Sequence, residues 1–200
     1  MPTTDGATPI DADEAAALIP THIATQAELN EWEQANVQAA VAWLARAVLP
    51  PARSVARHDV LTEQFVRTLH KRMFDRTWKW AGTFRKTEKN IGVAPERIAV
   101  GLRNLLDDVR YWVEHATYPI DEIGARLHHR LVAIHPFANG NGRHSRLMTN
   151  VLLQKRGAMP FSWGSGADLV TVGDARDRYL AALRGADASD HALLLRFVRS

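Results

Sequence analysis

The chain has 200 residues, 46% hydrophobic and 24% charged, which suits one globular domain with its own core. The absence of cysteine excludes disulfide bonds, thiolate metal sites and cysteine catalysis, and no apolar run is long enough to cross a bilayer. The net charge of +3, with 22 acidic and 25 basic side chains, permits a nucleic-acid partner without requiring one. Because residues 1–10 lack a basic stretch followed by an apolar one, we expect no secretory signal and a cytoplasmic location.

The first predicted elements are an N-terminal segment and a long helix. Residues 1–24 are predicted to be partly disordered, with one short helix from 11 to 18. The long helix begins at Thr25, which has capping-box spacing to Glu28, and it ends before Pro50. Its predicted buried stripe consists of Leu29, Trp32, Val37, Val41, Leu44 and Val48.

Six more helices are predicted downstream, and strand signals are scarce. The helices are expected near residues 59–76, 97–115, 121–134, 141–155, 168–184 and 190–198. Residues 83–94 lack helical periodicity and contain Asn90 and Gly92, which predicts a loop or small hairpin. We therefore predict an all-α fold for residues 25–198, a compact helical bundle with one short β-hairpin-like flap.

The segment 135–146, His-Pro-Phe-Ala-Asn-Gly-Asn-Gly-Arg-His-Ser-Arg, interrupts and restarts the helical pattern. Pro136 ends the preceding helix, and Gly140 and Gly142 break the chain where a new apolar periodicity begins. Backbone N–H groups of such a loop point outward at a helix N-terminus, where the helix dipole also favours anions. The segment is therefore predicted to bind phosphate.

Three side chains complete this predicted phosphate site. Arg143 and Arg146 are three residues apart, so both lie on one face of the new helix and form a polyphosphate clamp. His135, on the other side of the loop, is able to accept a proton near neutral pH. A base beside bound phosphates indicates phosphoryl or nucleotidyl transfer, with a divalent cation to offset charge. A plain helix-capping loop explains the glycines alone, but it leaves the histidine and both arginines unexplained. Phe137 is predicted to anchor the loop on the bundle.

The segment closely resembles the Fic/Doc superfamily motif, His-Pro-Phe-x-Asp/Glu-Gly-Asn-Gly-Arg-x-x-Arg, and all but one of the specified positions match. Residues 80–85 resemble the element that leads into the family's target-docking flap, and residues 179–187 resemble its closing helix. Together with residues 21–23 and 30–34, they are similar to the subgroup called mobile mystery protein B. The broader resemblance covers about residues 25–198.

The resemblance implies a protein adenylyltransferase, which moves AMP from ATP to a Ser, Thr or Tyr hydroxyl of a target protein in the presence of Mg²⁺. It implies that His135 is the general base. Asn141 and the backbone amides of Gly140 and Gly142 are implied to form the anion hole.

The resemblance also assigns the two arginines and the flap. Arg143 is implied to hold the triphosphate and help the leaving group, and Arg146 to hold the γ-phosphate. Tyr179 is a candidate for the wall of the nucleobase pocket, with core packing as the equal alternative. The flap is implied to hold the target segment by strand-like pairing. Its predicted docking residues are Thr83, Phe84, Arg85 and Ile91.

One motif position departs from the family pattern. Asn139 stands where the family usually has an acidic residue that ligates Mg²⁺. An amide oxygen can ligate the ion but carries no charge, so we expect weaker Mg²⁺ binding. Because the other catalytic positions are intact, we favour an ion held mainly by the substrate phosphates over an enzyme of weak or altered activity.

Restraint of the activity is a further expectation from the resemblance. Many relatives carry a helix with Ser/Thr-x-x-x-Glu, whose Glu pairs with the second motif arginine, and that spacing is absent from this sequence. The nearest segment begins at Thr25 and is one residue short. We prefer to interpret it as a helix cap, and the alternative is that Glu28 reaches Arg146 and blocks the γ-phosphate site. A separate antitoxin, restraining a toxin-like enzyme, is the other predicted source of control.

Two other functions compete with AMP transfer. A Doc-like kinase would bind the triphosphate inverted and transfer the γ-phosphate, but Gly142 stands where that branch carries Lys. A non-catalytic DNA-binding module fits the sequence pI of about 9.5, but it lacks a helix-turn-helix pattern and leaves His135 unexplained. We therefore expect no nucleic-acid or membrane partner. The remaining histidines lack metal-ligand spacing, so His128 and His129 are predicted at the surface and His144 in solvent.

Overall fold

The computed structural model describes residues 15–49, 59–164, 169 and 173–200. Its α-helices are α1 (Gln26–Trp43), α2 (Glu63–Phe74), α3 (Ile98–Glu114), α4 (Ile120–Ile134), α5 (Asn141–Lys155), α6 (Asp174–Asp187) and α7 (Ala192–Val198). A π-helical turn, Leu44–Val48, continues α1, and a 3₁₀ turn, Pro95–Arg97, leads into α3. The predicted all-α class is confirmed, because the described residues form no sheet and contain only an isolated bridge between Leu18 and Trp78. None of the described helices combines the length and apolarity needed to span a membrane.

The predicted capping box at the start of α1 is confirmed, and α2 begins at a cap that the sequence analysis did not predict. Thr25 Oγ1 accepts a hydrogen bond from the Glu28 N–H at 3.2 Å, and the Glu28 carboxylate accepts one from the Thr25 N–H at 2.9 Å. Thr62 caps α2 by accepting from the Phe65 N–H at 3.1 Å. Of the predicted helix at 11–18, residues 11–14 lie outside the described residues. Residues 15–18 form a turn, in which the Leu18 N–H donates to the Ala15 carbonyl at 3.1 Å.

Two hydrophobic clusters hold the helices together. The larger lies between α2, α3, α4 and α5, and its fully buried members include Leu69, Met73, Leu102, Leu105, Leu127, Leu131, Met148 and Leu152. The smaller joins α6 and α7 to α4 and α5, through Ala125, Leu153, Phe161, Tyr179, Leu194 and Phe197. Because α4 and α5 contribute to both clusters, the loop that connects them is held between two packed bodies.

The long N-terminal helix confirms most of the predicted buried stripe. Leu44 and Val48 are buried, and Leu29 and Val37 pack partly buried against the larger cluster. Trp32 and Val41 belong to the same predicted stripe, yet they are 37% and 39% exposed.

Two polar residues of this helix, Glu33 and Asn36, are buried although the sequence did not predict it. Polar partners make their burial favourable, and Asn36 Nδ2 donates to Thr77 Oγ1 at 3.2 Å. Apolar periodicity misses such positions because it treats polar side chains as exposed.

The segment 83–94 is an irregular loop without a β-ladder, which is one of the two structures that the sequence predicts for it. The guanidinium of Arg85 holds this loop together by donating to the carbonyls of Thr87 and Val93.

Besides His135, three histidines are buried among the described residues, which corrects the prediction that His128 lies at the surface and His144 in solvent. His128 Nε2 lies 2.9 Å from the Tyr179 hydroxyl, and His144 Nε2 lies 2.9 Å from the Val66 carbonyl. The third is His70. Burial lowers the pKa of all three side chains, and that of His144 to about 4, so they are neutral at pH 7.

These neutral histidines predict a loss of stability in mild acid. The unfolded chain binds protons at these sites below about pH 6.5, whereas folded His144 binds one only near pH 4. Stability is therefore complete above about pH 6.5 and falls as the pH drops, by about 1.4 kcal/mol per pH unit for one such group. His144→Gln keeps a donor for Val66 and cannot titrate, so urea unfolding between pH 7.5 and 5 should show a shallower loss. His115→Gln, at an exposed position, is the control, and equal slopes for all three proteins contradict the prediction.

Candidate active site

The loop between α4 and α5 buries its backbone and begins with a strained residue. His135 ends α4 in the left-handed conformation, with φ 53° and ψ 61°, and is 4% exposed. Its carbonyl accepts a hydrogen bond from Arg85 Nε at 2.7 Å, and the Pro136 carbonyl accepts one from the Arg85 N–H at 2.9 Å. A non-glycine residue in this region costs about 1–2 kcal/mol, so the surrounding contacts have to hold it in place.

Asn141 closes the loop on itself. Its Oδ1 accepts a hydrogen bond from the Phe137 N–H at 2.9 Å, and its Nδ2 donates to the Phe137 carbonyl at 2.8 Å. Gly140 begins α5 with a φ of 78°, and an added Cβ would lie 2.6 Å from Phe74. Its own N–H donates to Asn139 Oδ1 at 2.5 Å. The first-turn amides of α5 have no side-chain cap, which leaves this helix N-terminus suited to an anion.

His70 is a part of the site that sequence reasoning missed. Its Nδ1 accepts a hydrogen bond from the Gly82 N–H at 3.0 Å, and its Nε2 lies 3.0 Å from the Asn139 carbonyl. Because a carbonyl only accepts, Nε2 carries the proton and the ring is a neutral tautomer. The ring stacks on Phe137 at 3.7 Å, so Phe137 anchors the loop as predicted. A signal was present: His70 follows Val66 by four residues, on the buried face of α2.

The two motif arginines point to different partners. Arg143 forms an ion pair with Glu33 of α1 at 2.7 Å and lies 4.9 Å from the centre of the Phe74 ring. The other carboxylate oxygen of Glu33 accepts from Trp78 Nε1 at 2.7 Å. Glu33 is thus the α1 carboxylate at the site, and its position on the apparently polar face of α1 concealed it. The Glu28 carboxylate is used in the capping box, where it also accepts from the Ala24 N–H at 2.8 Å.

Arg146 lies in a buried cluster with α4 and α6. Its guanidinium lies beside Gly142, since an added Cβ there would be 3.6 Å from Nη1. It also lies 5.8 Å from the ring centre of Tyr179, whose hydroxyl contacts His128. Burial lowers the pKa of Arg146, and the Tyr179 hydroxyl opposes that shift by hydrogen bonding, so the guanidinium stays charged. Tyr179 is therefore both packed in the smaller cluster and placed beside a phosphate-site arginine.

The imidazole of His135 is in its basic form at neutral pH. Burial and then the charge of Arg85 lower its pKa to about 4, with a smaller contribution from Lys89. Contact with the Val132 backbone partly opposes these effects. A neutral imidazole next to a cationic loop is able to accept a proton from a hydroxyl.

The four predicted docking residues of the flap separate into two groups. Thr83 and Ile91 are exposed and free to face a target. Phe84 packs against Phe137 with ring centres 5.8 Å apart, and Arg85 is 5% exposed. Of these four residues, Phe84 and Arg85 therefore contact the loop or the residues that hold it, and Thr83 and Ile91 face solvent.

The site offers little to hold a metal ion. Asn139 Oδ1 is a neutral oxygen that already accepts from Gly140, and no three His, Asp or Glu side chains converge among the described residues. The half-buried His129 pairs with Asp187 at 2.8 Å, and no third side chain of this kind joins the two among the described residues. A hard cation such as Mg²⁺ prefers carboxylate oxygens, so these residues fit a protein-held Mg²⁺ poorly.

Comparison with known proteins gives consistent results. Residues 60–153 match the model of the Fic/DOC family. The protein adenylyltransferase fic-1 of Caenorhabditis elegans is 29% identical over 149 residues, which is 70% of this chain and 27% of that protein. The protein adenylyltransferase Fic of Drosophila grimshawi is 30% identical over 121 residues, covering 58% of this chain and 23% of that one. The chain thus spans only about a quarter of the length of these curated relatives.

Solved structures share the fold. A fragment of Fic-1 from C. elegans superposes with a TM-score of 0.67 and 26% identity, covering 93% of this chain and 51% of that one. The BepC effector protein of Bartonella tribocorum, solved with bound AMPPNP, has a TM-score of 0.68 at 17% identity and covers 94% and 97% of the two chains. The match of the helical bundle agrees with the match of the motif. Residues 60–153 are therefore similar to the Fic/DOC family, and the described chain shares the fold of the Fic-1 fragment.

Proposed function

We propose that this protein is an adenylyltransferase that moves AMP from ATP to a Ser, Thr or Tyr hydroxyl of a target protein. The observation that supports it most is the neutral His135 beside an uncapped α5 N-terminus flanked by two arginines. Relatives named protein adenylyltransferases and a neighbour solved with AMPPNP agree with this chemistry.

In the proposed reaction the target hydroxyl oxygen attacks the α-phosphorus of ATP. His135 accepts the hydroxyl proton, the bond from the α-phosphorus to the bridging oxygen breaks, and pyrophosphate leaves. The first-turn amides of α5 stabilise the charge that develops on the phosphate oxygens. Arg143 stabilises the leaving pyrophosphate and Arg146 holds the γ-phosphate. The side chain of Asn141 already forms hydrogen bonds with the backbone of Phe137. The contribution of Asn141 to the anion hole is therefore assigned to its backbone N–H.

Mg²⁺ is proposed to arrive with the phosphates of ATP, which supply most of its ligands. A toxin-like role, a separate antitoxin, a cytoplasmic location and the mobile mystery protein B subgroup stay predictions. Docking of a target segment on the flap stays a prediction as well, and Thr83 and Ile91 are the two predicted docking residues that are exposed.

The proposed transfer predicts which phosphate of ATP labels a protein. With ATP labelled at the α- or the γ-phosphate and a bacterial lysate, we expect protein labelling from the α-label only. His135→Ala should lower the rate by at least about 100-fold, because the hydroxyl loses its base. His115→Ala, at an exposed histidine, is the matched control and should label normally. Labelling from the γ-phosphate alone would instead establish the kinase, and labelling that survives His135→Ala would remove the base from the mechanism.

The position of Asn139 predicts a response to Mg²⁺. Asn139→Asp adds a charged oxygen where the neutral amide now bonds Gly140, so the Mg²⁺ concentration for half-maximal transfer should fall by about tenfold. Asn104→Asp makes the same chemical change at an exposed position of α3 and should leave the requirement unchanged. An unchanged requirement in Asn139→Asp contradicts the assignment of this residue to the metal.

The ion pair of α1 predicts competition with ATP. Glu33→Gln keeps an acceptor for Trp78 but removes the charge opposite Arg143, so the KM for ATP should fall by up to about tenfold, or about 1.4 kcal/mol. Glu28→Gln alters only the helix cap and should leave the KM unchanged. A lower KM in Glu28→Gln alone would support the sequence-based alternative in which Glu28 restrains Arg146. A higher KM in Glu33→Gln would mean that the pair positions Arg143 for ATP.

A further inference from the structure

Arg85 is a charged side chain buried between the flap and the loop that carries the proposed base. Its Nε donates to the His135 carbonyl at 2.7 Å and its Nη1 to the Thr87 carbonyl at 2.8 Å. Its Nη2 donates to the Val93 carbonyl, and its backbone N–H to the Pro136 carbonyl at 2.9 Å. One guanidinium thus connects Thr87 and Val93 of the flap with His135 at the end of α4. A lysine ammonium is a point charge and cannot bridge three carbonyls in one plane.

These contacts meet at the strained backbone of His135. The carbonyl that Arg85 holds belongs to the left-handed residue itself, and the flap returns beside it through Val93, whose N–H donates to the Ile134 carbonyl at 3.4 Å. Gly92, with a φ of 111°, lets the flap approach closely. An added Cβ at Gly92 would lie 2.6 Å from Arg85 Nη2 and 2.7 Å from His135 Cβ. The three residues therefore occupy one tightly packed spot.

We infer that Arg85 is a positioning residue that fixes the backbone of His135, and with it the direction of the imidazole, rather than a residue that docks the target. The inference rests on the proposed function only for the role of His135 as the base. The contacts of Arg85 are independent of that proposal. It replaces the docking role that the flap sequence implied for Arg85. Charges of Arg85 and Lys89 both face His135, and both favour its neutral form.

Two substitutions separate the charge of Arg85 from its fork-shaped hydrogen bonding. Arg85→Met removes both, so the pKa of His135 should rise from about 4 towards its ordinary value. Arg85→Lys keeps the charge, so the pKa should stay low while the geometry is lost. The matched control is Arg67→Met. Arg67 lies on α2, donates to the Gly82 carbonyl at 3.0 Å and lies over the Phe84 ring of the flap, and it is not among the charges that shift the pKa of His135.

The first readout is an NMR titration of the His135 imidazole in the free, folded protein, assigned by its loss in His135→Ala. It requires no activity, so it tests the inference even if AMP transfer itself fails. The expected result is a raised pKa in Arg85→Met only. An unchanged pKa in Arg85→Met, or an equal rise in Arg67→Met, overturns the inference. Thermal unfolding of each variant confirms that the titrated protein is folded.

The second readout is the kinetics of labelling. Arg85→Lys and Arg85→Met should both lower kcat by about 10- to 100-fold, because the base is misdirected, with little change in the KM for ATP or target. Arg67→Met should retain kcat. A raised KM for the target with kcat intact would restore the docking role and overturn the inference.

Discussion

The loop between α4 and α5 is largely buried, and the contacts of the site centre on pairing its backbone polar groups. An unpaired buried N–H or carbonyl costs about 1–3 kcal/mol, and side chains of neighbouring elements supply the partners of several of these groups. Arg85 donates hydrogen bonds to the carbonyls of His135 and Pro136. The side chain of Asn141 bonds to both the N–H and the carbonyl of Phe137, and His70 donates to the carbonyl of Asn139. These partners come from the flap, from α5 and from α2, so the loop cannot move without breaking contacts to three elements. A rigid loop is what a preorganised phosphate site requires.

Arg143 and Arg146, in the first turns of α5 beside the loop, connect the site to α1 and α6. Glu33 of α1 pairs with Arg143, and Tyr179 of α6 lies beside Arg146. Both helices lie outside residues 60–153, which carry the family match, yet each places one side chain on an arginine of the site. The outer helices therefore do more than cover the core: they set the charge and direction of the groups that are proposed to meet the triphosphate.

Much of the fold was predictable because it depends on local signals. The helix cap at Thr25, the bounds of α5 and the buried residues of α2 and α3 follow from side-chain periodicity and capping chemistry. The errors have a common cause. The burial of Glu33 and Asn36 on α1, and of His128 and His144, depends on hydrogen-bond partners that lie far away along the chain. Periodicity treats a polar side chain as exposed, and it is wrong wherever a distant partner makes burial favourable.

The sequence by itself determined the helical class, the loop with its two glycines, and the set of residues that resembles a Fic/Doc site, because these depend on residue types and spacing within a few turns. Only the tertiary structure decided what each residue touches. It places Arg85 against His135, Glu33 against Arg143 and Tyr179 beside Arg146. These pairs are 50, 110 and 33 residues apart along the chain. No local pattern encodes such pairs, since they form only when packing of the helices brings buried charges and carbonyls within hydrogen-bonding distance.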